Sequence, residues 1–377
     1  MLSDTTSIAL LSTYPPTQCG LATFTAALHA ELATSSATVG VVRVVDTPET
    51  HDGAEVVGHL VNGSTDSAAA TVKLLNDFDA VIVQHEYGIF GGPDGTDVLD
   101  VIDALTVPVI VVMHTVLSQP TTSQRRILER LLDVAALVVT MTETARDRLL
   151  TKYGADPAHV TVIPHGAINH GAVPTQRRAN ARPLVLTWGL LGPGKGIEWA
   201  IDAMRGLGDL QPRYLVVGKT HPKVLERHGE RYRDELRSRI HAQGVADIVE
   251  LDPSYLSVTA LAALVERADV VLLPYDSREQ VTSGVLIEAV AAGRPVVSTA
   301  FPHAVELLGD GTGLVVPQGD SAALEAALRR VLSEPGLAEA MARRAARKAP
   351  ELFWSAVAAR YRQIAGELVG AALAAAS

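Results

Sequence analysis

Short, unbroken runs of β-branched and aliphatic residues recur along the whole chain, each followed by a stretch of helical periodicity. The first half carries "SIALLST", "GVVRVV", "AVIVQHE", "PVIVVMHT", "ALVVTMT" and "VTVIPHG". The second half carries "PLVLTWG", "RYLVVGKT", "DIVEL", "DVVLLPY", "PVVSTAF" and "GLVVP". These runs do not alternate apolar with polar residues. Each must therefore be buried on both faces, like the strands of a parallel sheet covered by helices. Segments such as "ATFTAALHAELA" and "SAALEAALRRVL" lie between them with apolar residues at helical spacing. Strand alternating with helix predicts right-handed βαβ units and an α/β fold with doubly wound parallel sheets.

Two such domains are expected, because 377 residues exceed one ordinary core. The rhythm breaks once, at "INHGAVPTQRRANARP", residues 168–183, which is poor in large apolar residues and reads as a link. The expected domains are therefore 1–168 and 183–350. A last helical pattern, "FWSAVAARYRQIAGELVGAALA", is apolar on one face and follows a completed second domain. A helix over 352–377 that returns across the link to the first domain would bury that face. The net charge of −10 argues against a nucleic-acid partner, which needs a basic surface. The single cysteine, Cys19, allows no intramolecular disulfide and suits a reducing compartment. The start has no basic region before its short apolar stretch, so no signal peptide is read there. Arg360, Arg362 and Glu367 interrupt the alanine-rich tail, and no clean membrane span is found. A cytoplasmic protein is expected. Arg125, Arg126 and Arg130, and Arg343, Arg344, Arg347 and Lys348, read as solvated helix faces, with weak peripheral membrane contact the minor reading. No obligate protein partner is evident.

In doubly wound sheets, ligands bind outside the carboxyl ends of the strands. The stretch "TWGLLGPGKGIEWAIDAM" puts Gly189, Gly194, Lys195 and Gly196 between such an end and a helix start. It is one residue short of a P-loop: Gly196 has no hydroxyl to hold Mg²⁺ where Ser or Thr would stand. Glycines that let the backbone approach, a helix start and a lysine still make an anion site, with phosphate the usual anion. A solvated lysine on a glycine turn is the alternative. Thr282, Ser283 and Gly284 open the helix of "SGVLIEAVAAG" and offer a second anion site through their backbone N–H groups. Glu288, deeper in that helix, could accept from a ribose diol; an N-cap with a surface glutamate is the alternative. Glu279 and Gln280 precede this helix. Gly20, in "CGLATF", marks a third helix start, and Cys19 there reads as packing. His114 follows "PVIVVM", where a structural role competes with a catalytic one. His85 and Glu86 open a loop rich in polar groups and glycine, which makes both candidates to touch a polar ligand. Metal binding by that pair is disfavoured, because neighbours on a strand point opposite ways.

On these residues the chain resembles the GT-B-fold retaining glycosyltransferases of family 4, over nearly its whole length. The likeness is strongest in "GLLGPGKGIEWAIDA", "ADVVLLPYDSREQVTSGVLIEAVAAGRPVVST" and "GTGLVVPQGD". The resemblance implies two Rossmann-like domains facing a cleft, with the C-terminal helix crossing back to the first. It implies a nucleotide sugar held by the second domain, a hydroxyl-bearing acceptor taken mainly by the first, and neither cofactor nor metal. Lys195 then resembles the lysine that holds the donor diphosphate, and Ser283 and Gly284 the backbone donors to the same group. Glu288 resembles the carboxylate on the ribose, Gly20 the glycine of the N-terminal loop near the diphosphate, and His114 the histidine that contacts the transferred sugar. Three positions depart from the pattern. Leu190 stands where an arginine usually follows the glycine, and Gln280 stands where the first of two glutamates is usual, with Glu279 one residue off register. Cys19-Gly20 replaces Gly-Gly. The implied reaction is transfer of a mannose- or glucose-type sugar with retention. Alternatives are a GT-B nucleotide-sugar epimerase or phosphorylase, or a non-catalytic nucleotide-sugar-binding subunit.

Overall fold

The computed structural model describes residues 6–34, 37–49, 53–171 and 182–376. The chain divides into two units, 1–166 with 354–377, and 167–353. Of the link 168–183, residues 172–181 lie outside the described residues.

In the first unit β1 (Ile8–Ser12), β2 (Val39–Val45), β3 (Val56–Val61), β4 (Ala80–His85), β5 (Val109–Met113), β6 (Leu137–Thr140) and β7 (Val160–Val162) form one parallel sheet in the order β3-β2-β1-β4-β5-β6-β7. In the second, β8 (Leu184–Trp188), β9 (Arg213–Val217), β10 (Val249–Asp252), β11 (Val270–Leu273), β12 (Val296–Thr299) and β13 (Gly313–Val316) are ordered β10-β9-β8-β11-β12-β13, again all parallel. Every run named from the sequence is a strand. The sequence reading missed β3. Gly58 and His59 interrupt its apolar residues, and only Leu60 is fully buried. As the edge strand of its sheet it needs no continuous apolar run.

The central strands are buried throughout, for example Ile8, Leu10, Ile82 and Val112 in the first unit and Val185, Leu186, Val271 and Leu272 in the second. The helix Trp354–Ala376 belongs to the first unit, where Val357, Ala358, Tyr361 and Ala365 pack on Phe24, Leu28 and Leu10. Arg362 Nη1 donates to the Glu31 carbonyl at 2.8 Å and Arg360 Nη2 to the Val162 carbonyl at 2.6 Å. Trp354, at the head of that helix, takes the space a side chain at Gly166 would fill: an added Cβ would stand 2.1 Å from its ring. Among the described residues no helix is long and apolar enough to cross a membrane.

Candidate active site

Each sheet reverses its winding direction once, between β1 and β4 and between β8 and β11. Loops leaving the strands on either side of such a point diverge, and the gap between them is where this architecture takes ligands.

In the second unit the loop after β8 is shaped by glycine. Gly189, Gly194 and Gly196 have φ of 119°, 88° and 64°, a region that side chains disfavour. Gly194 O accepts from Asp276 N–H at 2.9 Å. A Cβ on Gly196 would sit 1.8 Å from Pro274 O. The lysine loop and the segment after β11 are thus in contact. Lys195 Nζ lies 4.4 Å from the centre of the Tyr275 ring, and that ring is itself buried and stacked on Phe301 at 5.2 Å. A cation over an aromatic face is held without being neutralised. Among the described residues no carboxylate pairs with Lys195. Leu190, where the resemblance implies an arginine, is half-buried. The loop after β9 runs beside it: Leu191 N–H donates to Lys219 O and His221 N–H to Leu191 O, both at 2.8 Å. Burial, then Lys223 and Lys195, lower the His221 pKa.

The helix Gly284–Ala291 starts next to this loop, with a Val285 methyl 3.7 Å from where a Gly189 Cβ would stand. Ser283 caps it, its Oγ accepting from Leu286 N–H at 3.3 Å. The expectation that Ser283 offers its own N–H to an anion is corrected: that group donates to Nδ1 of the buried His303 at 2.8 Å. The N–H groups of Gly284 and Val285 remain, with no acceptor among the described residues. Thr282 Oγ1 is buried without a hydrogen-bond partner at the same end. Glu279 and Gln280 are half-buried, and Gln280 O faces His303 N–H at 3.4 Å. Glu288, further along the helix, accepts from Ile168 N–H at 3.3 Å through Oε2. Lys195, Gly189, Gly194, Thr282 and Gly284 thus converge on one switch point, while Glu288 lies deeper along the helix that starts there.

In the first unit the helix Gly20–Leu32 starts after β1. Cys19, read from sequence as packing, caps it: its Sγ accepts from Ala22 N–H at 3.4 Å and lies 3.3 Å from Thr13 Oγ1. A Cβ on Gly20 would meet nothing within 4 Å. His114 is half-buried, its Nε2 donating to Gln84 Oε1 at 2.6 Å, with Phe24 edge-on at 4.9 Å. Thr115 Oγ1 donates to Glu86 Oε2. His85, read as facing a ligand, is instead sealed in the core: both ring nitrogens lack a partner, and Tyr87 packs edge-on at 5.0 Å. Among the described residues no group of three or more His, Cys, Asp or Glu could hold a metal. The basic helix faces are partly neutralised, by Arg125–Glu129 at 3.2 Å, Arg130–Asp103 at 3.0 Å and Lys348–Asp310 at 3.1 Å.

Burial holds the His85 pKa down at about 4. Burial, with His165 and His85 nearby, holds that of His114 at about 3. Unfolded, each is near 6.5. The unfolded chain therefore binds more protons between these values, and stability is full above about pH 6.5 and lost as pH falls toward the folded values. For His85 the slope approaches about 1.4 kcal/mol per pH unit. Urea melts between about pH 7 and about pH 5 should be distinctly less pH-dependent in His85→Gln than in wild type. Equal slopes would contradict a neutral, sealed His85.

Tyr275 and His303 are the site residues that the sequence reading did not single out. Their signals were an aromatic directly after the apolar run "DVVLLP" and a histidine directly after the proline that opens the helix Pro302–Leu308.

Two Rossmann-like units, each built on one parallel sheet that reverses its winding once, define a protein of the GT-B fold class. Residues 182–334 match the family described as glycosyl transferases group 1, and residues 19–167 the one described as glycosyltransferase family 4. The two matches, one in each unit, are both to glycosyltransferase families and together cover most of the chain. It is 30% identical over 254 residues to a D-inositol 3-phosphate glycosyltransferase of Kineococcus radiotolerans, across 61% of this chain and 57% of that one. It is 29% identical over 264 residues to an alpha-D-kanosaminyltransferase of Streptomyces kanamyceticus, across 64% and 66%. The matches thus span well under the full length of these relatives. Among solved structures the fold is that of Anabaena HepE, crystallised with UDP and glucose, at TM-score 0.74 and 17% identity over 95% of this chain and 99% of that one. The sucrose-phosphate synthase of Thermosynechococcus elongatus has the same fold, at TM-score 0.76 and 18% identity over 97% and 100%.

Proposed function

We propose that this protein is a retaining glycosyltransferase that moves a mannose- or glucose-type sugar from a nucleoside-diphosphate sugar to a hydroxyl, without a metal ion. The observation that carries this reading is Lys195, laid over Tyr275 with no acid paired to it among the described residues, on the loop beside the helix start whose Gly284 and Val285 N–H groups have no acceptor there. A diphosphate leaving group gains charge as the bond to the sugar breaks, and fixed donors aimed at that charge stabilise the transition state. The acceptor oxygen forms the new bond to the anomeric carbon, the bond to the diphosphate breaks, and the acceptor's proton passes to the departing phosphate oxygen. Glu288 takes the ribose hydroxyls, and Thr282 serves the diphosphate or the sugar. In the first unit His114, neutral and held by Gln84, is the residue read for the transferred sugar, and Glu86 the one for the sugar or the acceptor.

UDP-glucose is the first donor to test, because HepE was crystallised with UDP and glucose and the named relatives are sugar transferases. A reaction that draws on free nucleotide sugars fits a cytoplasmic enzyme. The test incubates the chain with labelled UDP-, GDP- and ADP-sugars and hydroxyl acceptors, with and without EDTA. A product of retained anomeric configuration, formed at the same rate in EDTA, is expected. His114→Ala should lower transfer about tenfold or more, a loss of at least about 1.4 kcal/mol, with nucleotide affinity little changed. Binding without any transfer would overturn the enzyme reading in favour of a sugar-nucleotide-binding subunit. A rate abolished by EDTA and restored by Mg²⁺ would overturn the metal-free site.

A further inference from the structure

The segment after β7 enters the second unit through Ala167, Ile168, Asn169 and His170. It does not drape over the surface as a link would. The His170 side chain is only 2% exposed. Its Nδ1 lies 3.2 Å from Glu266 Oε1, on the helix Val258–Arg267, and its Nε2 lies 3.7 Å from Glu288 Oε2, on the helix Gly284–Ala291. At that second distance the contact is too long for a hydrogen bond and is an ion pair when the ring is protonated; Nε2 has no other partner. Two residues earlier, Ile168 N–H donates to the same Glu288 oxygen. Glu288 Oε2 is thus gripped from two points of one segment. Oε1 has no partner among the described residues.

We infer that His170 is a positioning residue for the donor's ribose: its buried imidazole, set between Glu266 and Glu288, fixes the Glu288 carboxylate in the orientation that accepts from the sugar hydroxyls of the nucleotide. This rests on the reading of Glu288 given above. The chemistry suits a histidine. Two carboxylates that close to one ring repel each other unless a cation stands between them, and a proton shared by the ring supplies it. The facing groups are Glu288 and Glu266; behind Glu266, Arg294 Nη1 donates to the carbonyls of Glu266 and Ala268, and its charge also acts on Asp269 and Glu266. Glu288, then Glu266, raise the His170 pKa against the lowering effect of burial. An asparagine could hydrogen-bond either acid, but it could not offset the charge of both.

A role in holding the segment would affect all ligands alike, whereas a role in orienting Glu288 affects only those with ribose hydroxyls. The test therefore compares UDP, GDP and ADP with their 2′,3′-dideoxy forms by calorimetry on the full chain. Wild type is expected to prefer the ribose form of its nucleotide about tenfold or more. In His170→Gln that preference should fall to within about twofold, the ribose form losing affinity and the dideoxy form keeping it. Glu266→Gln, a change at a partly exposed position, should shift the preference the same way by a smaller factor and serves if His170→Gln does not fold. An unchanged preference in whichever variant folds, or equal loss for both forms, would overturn the inference while leaving the glycosyltransferase reading intact. A wild-type chain that binds a nucleotide without ribose preference would remove the role given to Glu288. One that binds none of the three would remove the reading itself.

Discussion

Lys195→Ala is expected to weaken nucleoside-diphosphate binding about tenfold to a hundredfold, and to depress transfer further. The lysine's charge is held over Tyr275 at 4.4 Å and no acid of the described chain offsets it. A charge-assisted hydrogen bond to phosphate contributes roughly 1.5–3 kcal/mol, and every 1.4 kcal/mol is about tenfold in affinity. The contact should strengthen as the leaving diphosphate gains charge, so the rate should fall by more than the affinity. Lys195→Arg should recover only part. A guanidinium is larger and planar, and the turn that carries it is closed by Gly194 and Gly196. Calorimetry with UDP, GDP and ADP, beside transfer rates, is the measurement. Unchanged affinity in Lys195→Ala would remove the lysine from the donor site.

The second large effect is expected from a single methyl group. Gly196→Ala would place a Cβ 1.8 Å from Pro274 O, at a residue whose φ is 64°. The obstacle is backbone, and that backbone is tied to the same loop by Asp276 N–H on Gly194 O at 2.9 Å. Left-handed strain of roughly 1–2 kcal/mol and overpacking of roughly 1–3 kcal/mol add up to about 3 kcal/mol of lost stability. The loop can relieve this only by parting from the segment after β11, which carries Lys195 off Tyr275. Urea denaturation should show the destabilisation, and calorimetry a loss of nucleotide affinity at least as large as in Lys195→Ala. Gly20→Ala is the contrast. Its Cβ meets nothing and its φ is ordinary, so stability should stay within about 0.5 kcal/mol of wild type. Wild-type stability and affinity in Gly196→Ala would contradict the packing of the lysine loop.

Much of the architecture was legible because its causes are local. A parallel strand covered on both faces has to be apolar throughout, and "AVIVQHE" or "DVVLLPY" states that within a few residues. The glycines around Lys195 and the Thr-Ser-Gly helix start are local in the same way: left-handed φ and an N-cap each demand particular residue types on the spot. β3 escaped because an edge strand is buried on too little of its surface to need a run, and its "VVGHLV" is broken by glycine and histidine.

What the tertiary structure alone decided are the partnerships between residues far apart in sequence. Only the adjacency of β8 and β11 puts Lys195 over Tyr275, eighty positions on. Only the fold spends the N–H of Ser283 on His303 and seals His85 among β4 and its neighbours. The segment read as a mere link is the one that delivers His170 to Glu266 and Glu288. Periodicity and turn chemistry write themselves into neighbouring residues. The hydrogen bonds and ion pairs of the site are set by which strand ends the winding of the sheet brings side by side, and a linear pattern holds no record of that.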